Sequence, residues 1–143
     1  MRRSLKQFIL DSWQVIEPGR NFYDNWHIDA ICEYLQAVVD GDIRRLIINI
    51  PPRHMKSITA SVALPAWTWT HKPDKRFLFA SYANSLSIRD SVKCRRLLDS
   101  PWYKTHFGEN FHLTGDQNQK QRFDNDKTGY RIATSVDGAL TGE

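Results

Sequence analysis

Lys56 and Ser57 are the residues of this 143-residue chain whose types and setting are best suited to chemistry. Residues 44–59 read Arg-Arg-Leu-Ile-Ile-Asn-Ile-Pro-Pro-Arg-His-Met-Lys-Ser-Ile-Thr. The pattern predicts a buried strand over 46–50, a tight proline-bearing turn, and a helix opened by Lys-Ser. At such a helix start the backbone N–H groups face an anion. A lysine there reaches the β- and γ-phosphates of a nucleotide, and a hydroxyl ligates its Mg²⁺. The expected cofactors are therefore ATP and Mg²⁺. The expected nucleotide-binding set is Pro52, Arg53, His54, Met55, Lys56, Ser57 and Ile58, with Ser57 on the metal. The stretch departs from G-x-x-x-x-G-K-[ST] at both glycines, where Ile50 and Met55 stand. An ordinary helix start with a solvated lysine is the alternative.

The elements that would position this loop follow from periodicity and punctuation. Ser4, with Gln7 three residues on, predicts a capping box and a first helix with Leu5, Phe8, Ile9, Trp13 and Ile16 on one face; Pro18-Gly19 stops it. Asn25 caps a second helix carrying Ile28, Ile31, Leu35 and Val38, and Asp40-Gly41-Asp42 ends it in a turn. The 46–50 run is apolar except at Asn49, as in a parallel strand covered on both faces. A helix over 57–64 follows, with Pro65 as kink or boundary, and Trp67 and Trp69 read as packing residues. A second strand over 76–82 leads to a long helix from about 84 to 98, broken by Ser100-Pro101. Residues 102–127 read as polar and irregular, with short strands near Phe111 and Phe123. A last strand covers 130–134. This order predicts an α/β fold, a three-layer P-loop NTPase-type sheet that is incomplete at the C-terminus, since the chain ends in a Gly-rich polar turn after a strand.

Composition bounds the rest. Hydrophobic content of 41% and charged content of 25% are those of a globular domain, and a net charge of +4 weakly favours an anionic partner. Cys32 and Cys94 lack C-x-x-C spacing and fall within predicted helices, so they read as reduced thiols of a cytosolic protein. No apolar run approaches the roughly 18 residues of a membrane span, and Lys6, Gln7 and Asp11 interrupt any signal-peptide core, so no membrane association is expected. Arg89, Lys93 and Arg96 share one face of the third helix and could contact DNA phosphates; a solvated helix face is the plainer alternative. His106 and His112 lack companions for a zinc site.

With these elements placed, the chain resembles the N-terminal part of a bacteriophage terminase large subunit, the ATPase motor that packages DNA. Three segments carry the resemblance. Residues 49–57 are similar to that family's variant phosphate loop, Pro-Pro-Arg-His-Gly-Lys-Ser, with Met55 in place of the glycine. Phe79-Ala80-Ser81-Tyr82-Ala83-Asn84, with Arg95-Arg96 and Ser100-Pro101-Trp102-Tyr103, resembles the strand and helix that follow the loop. Arg131-Ile132-Ala133-Thr134-Ser135-Val136, through Gly138-Ala139-Leu140-Thr141-Gly142-Glu143, resembles the segment that precedes the acidic Walker B strand.

The resemblance implies a partial N-terminal ATPase domain over 1–143, with Walker B and the nuclease domain beyond Glu143. It implies that the complete protein is an ATPase and endonuclease of the bacterial host cytoplasm, powering DNA translocation into a procapsid, and that this stretch alone is inactive. It assigns Lys56 and Arg53 catalytic roles, Arg53 by reaching the γ-phosphate, and places adenine near Trp26 and His27. For Arg53, loop rigidification is the alternative; for Trp26 and His27, a helix start with a packing tryptophan. The implied partners are double-stranded DNA, the small terminase subunit, the portal protein of the procapsid and further copies in a homo-oligomeric motor. A truncated prophage remnant without ATPase activity, or another P-loop NTPase, are the competing readings.

Overall fold

The computed structural model describes residues 3–50, 56–114 and 121–135. Helix α1 (Leu5–Ile16) starts where Ser4 Oγ accepts from the Gln7 N–H at 3.1 Å, and it buries Leu5, Phe8, Ile9, Trp13 and Ile16 as expected. The capping box is only half made. Gln7 turns its side chain to Asp11, and the Leu5 N–H is taken by Gln36 Oε1 of α2 at 2.6 Å. A tertiary acceptor thus satisfies one of the orphan N–H groups of the first turn, and it ties α1 to α2.

Helix α2 (Trp26–Val39) is capped by Asn25 and buries Ile28, Ile31, Cys32 and Leu35. Gly41, at φ 88°, turns the chain out of it, a left-handed conformation that costs glycine nothing.

The 46–50 segment departs from expectation. It is extended but joins no ladder among the described residues. Leu46, Ile48 and Ile50 pack against the core, while Ile47 is 84% exposed and Asn49 is exposed. Only one side of the segment is covered, so it alternates as a surface strand does, although its composition is that of a strand buried on both faces.

Lys56 and Ser57 are already helical. From Ile58 to Ala63 the helix widens to a π-turn, and it continues as α3 (Leu64–Trp69). Pro65 stands in the first turn of α3, at the boundary with the widened turn, so the expected boundary is present although the chain stays helical through it. A proline ring clashes with the carbonyl four residues back and offers it no N–H, and widening the preceding turn relieves both problems. Trp67 and Trp69 are fully buried, with their indole N–H groups donating to the Arg3 and Lys75 carbonyls at 2.7 and 2.9 Å. They are core residues, as expected.

Strand β1 (Phe77–Ser81) leads to α4 (Asn84–Asp99), which is followed by α5 (Pro101–Phe107), β2 (Arg122–Asp124) and β3 (Tyr130–Ser135). The sheet order is β1-β3-β2. β1 and β3 run parallel with Phe77 opposite Arg131, and β2 is antiparallel to β3 with Phe123 opposite Arg131. Ser87 Oγ donates to the Thr134 carbonyl at 2.7 Å, pinning the first turn of α4 to β3.

Helix α5 falls in the stretch expected to be irregular. Ser100 ends α4 and at the same time caps α5, its Oγ accepting from the Tyr103 N–H, while Pro101 occupies the first turn, where no N–H is needed. The Tyr103 hydroxyl donates to the Ala66 carbonyl at 2.8 Å, and Phe8, Trp102, Tyr103 and Phe107 pack as one aromatic cluster. Of the two short strands expected, the one at Phe123 is present. Near Phe111 there is only a single bridge, Leu113 to Asn125.

The described arrangement is mixed α/β with a three-stranded sheet. Among the described residues no helix is long and apolar enough to cross a membrane.

Candidate functional site

The extended 46–50 segment, the helical stretch that contains Lys56 and Ser57, and α2 lie alongside one another. Between the three is an open cleft of about 410 Å³. Leu35, Val38, Leu46, Ile48 and Ala60 form its apolar walls, and Lys56, Ser57 and Ser61 supply its polar groups. Lys56 and Ser57 are exposed, and Ser57 makes no capping hydrogen bond. An ammonium and a hydroxyl thus stand together at a solvent-accessible cleft, which suits an anionic ligand bound through its oxygens. Ile58 does something different. It is half-buried against the core and anchors the helix from behind.

Pro52, Arg53, His54 and Met55 lie outside the described residues. Trp26 and His27 are described, and neither lines the cleft. Trp26 opens α2 with 76% of its surface exposed. Leu35 and Val38 lie eight to twelve residues further along that helix, roughly 12–18 Å of helical rise. The structure therefore does not bring Trp26 and His27 to the cleft that holds Lys56 and Ser57.

The basic face of α4 is partly neutralised. Lys93 Nζ meets Glu17 Oε1 at 2.5 Å with both side chains largely shielded, and Arg89 meets Asp90 at 3.4 Å. Arg96 is exposed in the last turn, where a cation is favourable to the helix dipole.

Comparison of the chain with protein-family models, curated proteins and solved structures gave no match.

Two groups of the interior bear on the site's chemistry. Burial pushes the Cys32 thiol up to about 12 and the Cys94 thiol up to about 11. Both are free cysteines, and at such values neither is a nucleophile at neutral pH.

Arg131 is the functional candidate that sequence reasoning passed over. It is fully buried on β3, with its guanidinium 4.3 Å from the centre of the Phe79 ring. One Nη donates to the Ser61 carbonyl at 2.7 Å, while Nε and the other Nη meet no oxygen acceptor among the described residues and have the Cys94 thiol beside them. Burial pulls the guanidinium below its ordinary value, opposed by Cys94 and Asp90 beside it. The signal for it was present as an arginine inside a predicted strand, together with a proline four residues after Ser61.

Proposed function

We propose that this chain is the ATP-binding part of a viral DNA-packaging motor of the terminase large subunit type, in which ATP hydrolysis drives double-stranded DNA into a procapsid. One observation carries the reading: Lys56 and Ser57 stand side by side on a helix, both exposed, at a cleft that Leu46 and Ile48 of the extended 46–50 segment also line. In the sequence, an apolar extended run followed by Pro-Pro and then Lys-Ser is the setting a phosphate-binding loop requires.

In this reading the Lys56 ammonium lies along the β- and γ-phosphate oxygens, and the N–H groups of the first helical turn point at the same charge. The Ser57 hydroxyl takes a place on the Mg²⁺ that the nucleotide brings, and that ion neutralises charge on the phosphate oxygens. Arg53, three residues before Lys56 in the sequence, would add a second cation to the γ-phosphate. The three-layer NTPase-type sheet, the small terminase subunit, the portal protein and a homo-oligomeric motor belong to the same proposal. Contact of Arg89, Lys93 and Arg96 with DNA also belongs to it, and since Lys93 meets Glu17 and Arg89 meets Asp90, Arg96 is the more available of the three.

The experiment is a calorimetric titration of the chain with Mg²⁺-ATP beside Lys56→Ala. Binding that disappears in a folded Lys56→Ala sample supports the phosphate site. Equal binding by the two proteins, or none by folded wild type, removes it.

A further inference from the structure

Ser61 has a carbonyl in an unusual position. In an α-helix it would accept from the N–H of residue 65, and that residue is Pro65, which has none. The helix widens here, from Ile58 to Ala63, and the carbonyl is met from outside by Arg131 at 2.7 Å. Arg131 is well suited to this task. Its backbone is fixed by pairing on both sides, to β1 and to β2. Its guanidinium lies over the Phe79 ring with Cys94 and Asp90 beside it, and among the described residues its hydrogen bond to an oxygen is the one to the Ser61 carbonyl. The turn it holds begins directly after Ser57. Because a π-turn contains one more residue than an α-turn in the same rise, the choice between them sets the angle at which Lys56 and Ser57 leave the helix axis.

We propose that Arg131 is a positioning residue for the Lys56–Ser57 helix start: it supplies, from the sheet, the donor that Pro65 withholds from Ser61, and so holds the widened turn that aims Lys56 and Ser57 into the cleft. That these two residues then meet phosphate rests on the nucleotide reading above; the link from Arg131 to the turn does not.

The test is a cycle on the full chain with Arg131→Met, Pro65→Ala and the double variant. Backbone hydrogen exchange is read over residues 58–64, and Mg²⁺-ATP affinity is read by calorimetry. Arg131→Met is expected to lower protection across 58–64 at least tenfold beyond any change in α1 and α2, and to weaken Mg²⁺-ATP binding at least tenfold. Adding Pro65→Ala returns an N–H to the helix for Ser61 and is expected to restore the protection, which it would not do if Arg131 were only a filler of the core. Should Arg131→Met not fold, Arg131→Lys replaces it, keeping the charge without the planar fork. A folded Arg131 variant with wild-type protection over 58–64, or a loss spread evenly over the chain and not restored by Pro65→Ala, overturns the proposal. Wild type that is folded and fails to bind Mg²⁺-ATP overturns the nucleotide reading instead, and the exchange data still judge Arg131.

Discussion

Replacing Ile47 by lysine and Ile48 by alanine, one at a time, tests whether one face or both faces of the 46–50 segment are covered. Burying an isoleucine side chain fully is worth about 1.5–3 kcal/mol. Ile47 is 84% exposed, so at most about a sixth of that, roughly 0.3–0.5 kcal/mol, is at stake. The lysine ammonium would stay in water, and Ile47→Lys should change stability by less than about 0.5 kcal/mol. Ile48 packs against the core beside the cleft, and Ile48→Ala, which loses half-buried methyl groups and leaves a void, should cost about 1–2 kcal/mol. For a chain of this length 1 kcal/mol moves Tm by about 3 °C. Thermal melts should therefore show Ile47→Lys within about 2 °C of wild type and Ile48→Ala about 3–6 °C lower. A strand covered on both faces gives the opposite order, because an unpaired ammonium forced into it costs several kcal/mol. If Ile47→Lys proves the more damaging variant, the single-faced description is wrong and Ile47 is covered in the protein in solution.

Three further outcomes follow from the interior. A Cβ at Gly129 would collide with the Pro73 carbonyl and stand 2.9 Å from that of Lys75, where Asn125 also bonds Pro73, so Gly129→Ala should cost about 2–3 kcal/mol in a denaturant melt. With Cys94 at about 11 and Cys32 at about 12, against 9.0 for an ordinary thiol, their thiolate populations at pH 8 are about a hundredfold and a thousandfold reduced; a thiol reagent should label neither in the native protein and both after unfolding. Burial holds the Asp90 carboxyl above its ordinary value, against the opposing pull of Arg89, Arg131 and Lys93. The folded state then keeps a proton that the unfolded chain has released, so the stability Asp90 contributes is present at low pH and declines as pH rises from the ordinary to the raised value. Melts across that window should show the decline in wild type and its absence in Asp90→Asn.

Much of the fold was legible because local signals agreed. Ser4 and Asn25 cap the helices that follow them, and the apolar residues read off at helical spacing are buried in α1 and, except for half-buried Val38, in α2. The 46–50 segment was misread for a physical reason: an unbroken apolar run reports composition, not which neighbours arrive, and here they cover only the side of Leu46, Ile48 and Ile50. Helix α5 was hidden because Ser100-Pro101 reads as a stop, although the same two residues cap and open the next helix.

At the site, the pairing of Lys56 with Ser57 was visible in the chain, and both do line the cleft. The joining of Trp26 and His27 to them was not supported, since the length of α2 separates them from the cleft. In the sequence Arg131 stands out only as part of the 131–136 segment. Its partner, Ser61, lies seventy residues away, and no local pattern carries a contact of that separation.

The central claim is that the helix start at Lys56 and Ser57 binds nucleotide phosphate, and amide chemical-shift mapping during titration with Mg²⁺-ATP tests it most directly. The account predicts saturable shifts largest at Lys56, Ser57 and Ile58, with smaller ones at Leu46 and Ile48 across the cleft. Saturable shifts centred elsewhere, on the exposed face of α4 or at the start of α2, would contradict it, as would a folded chain whose spectrum does not move.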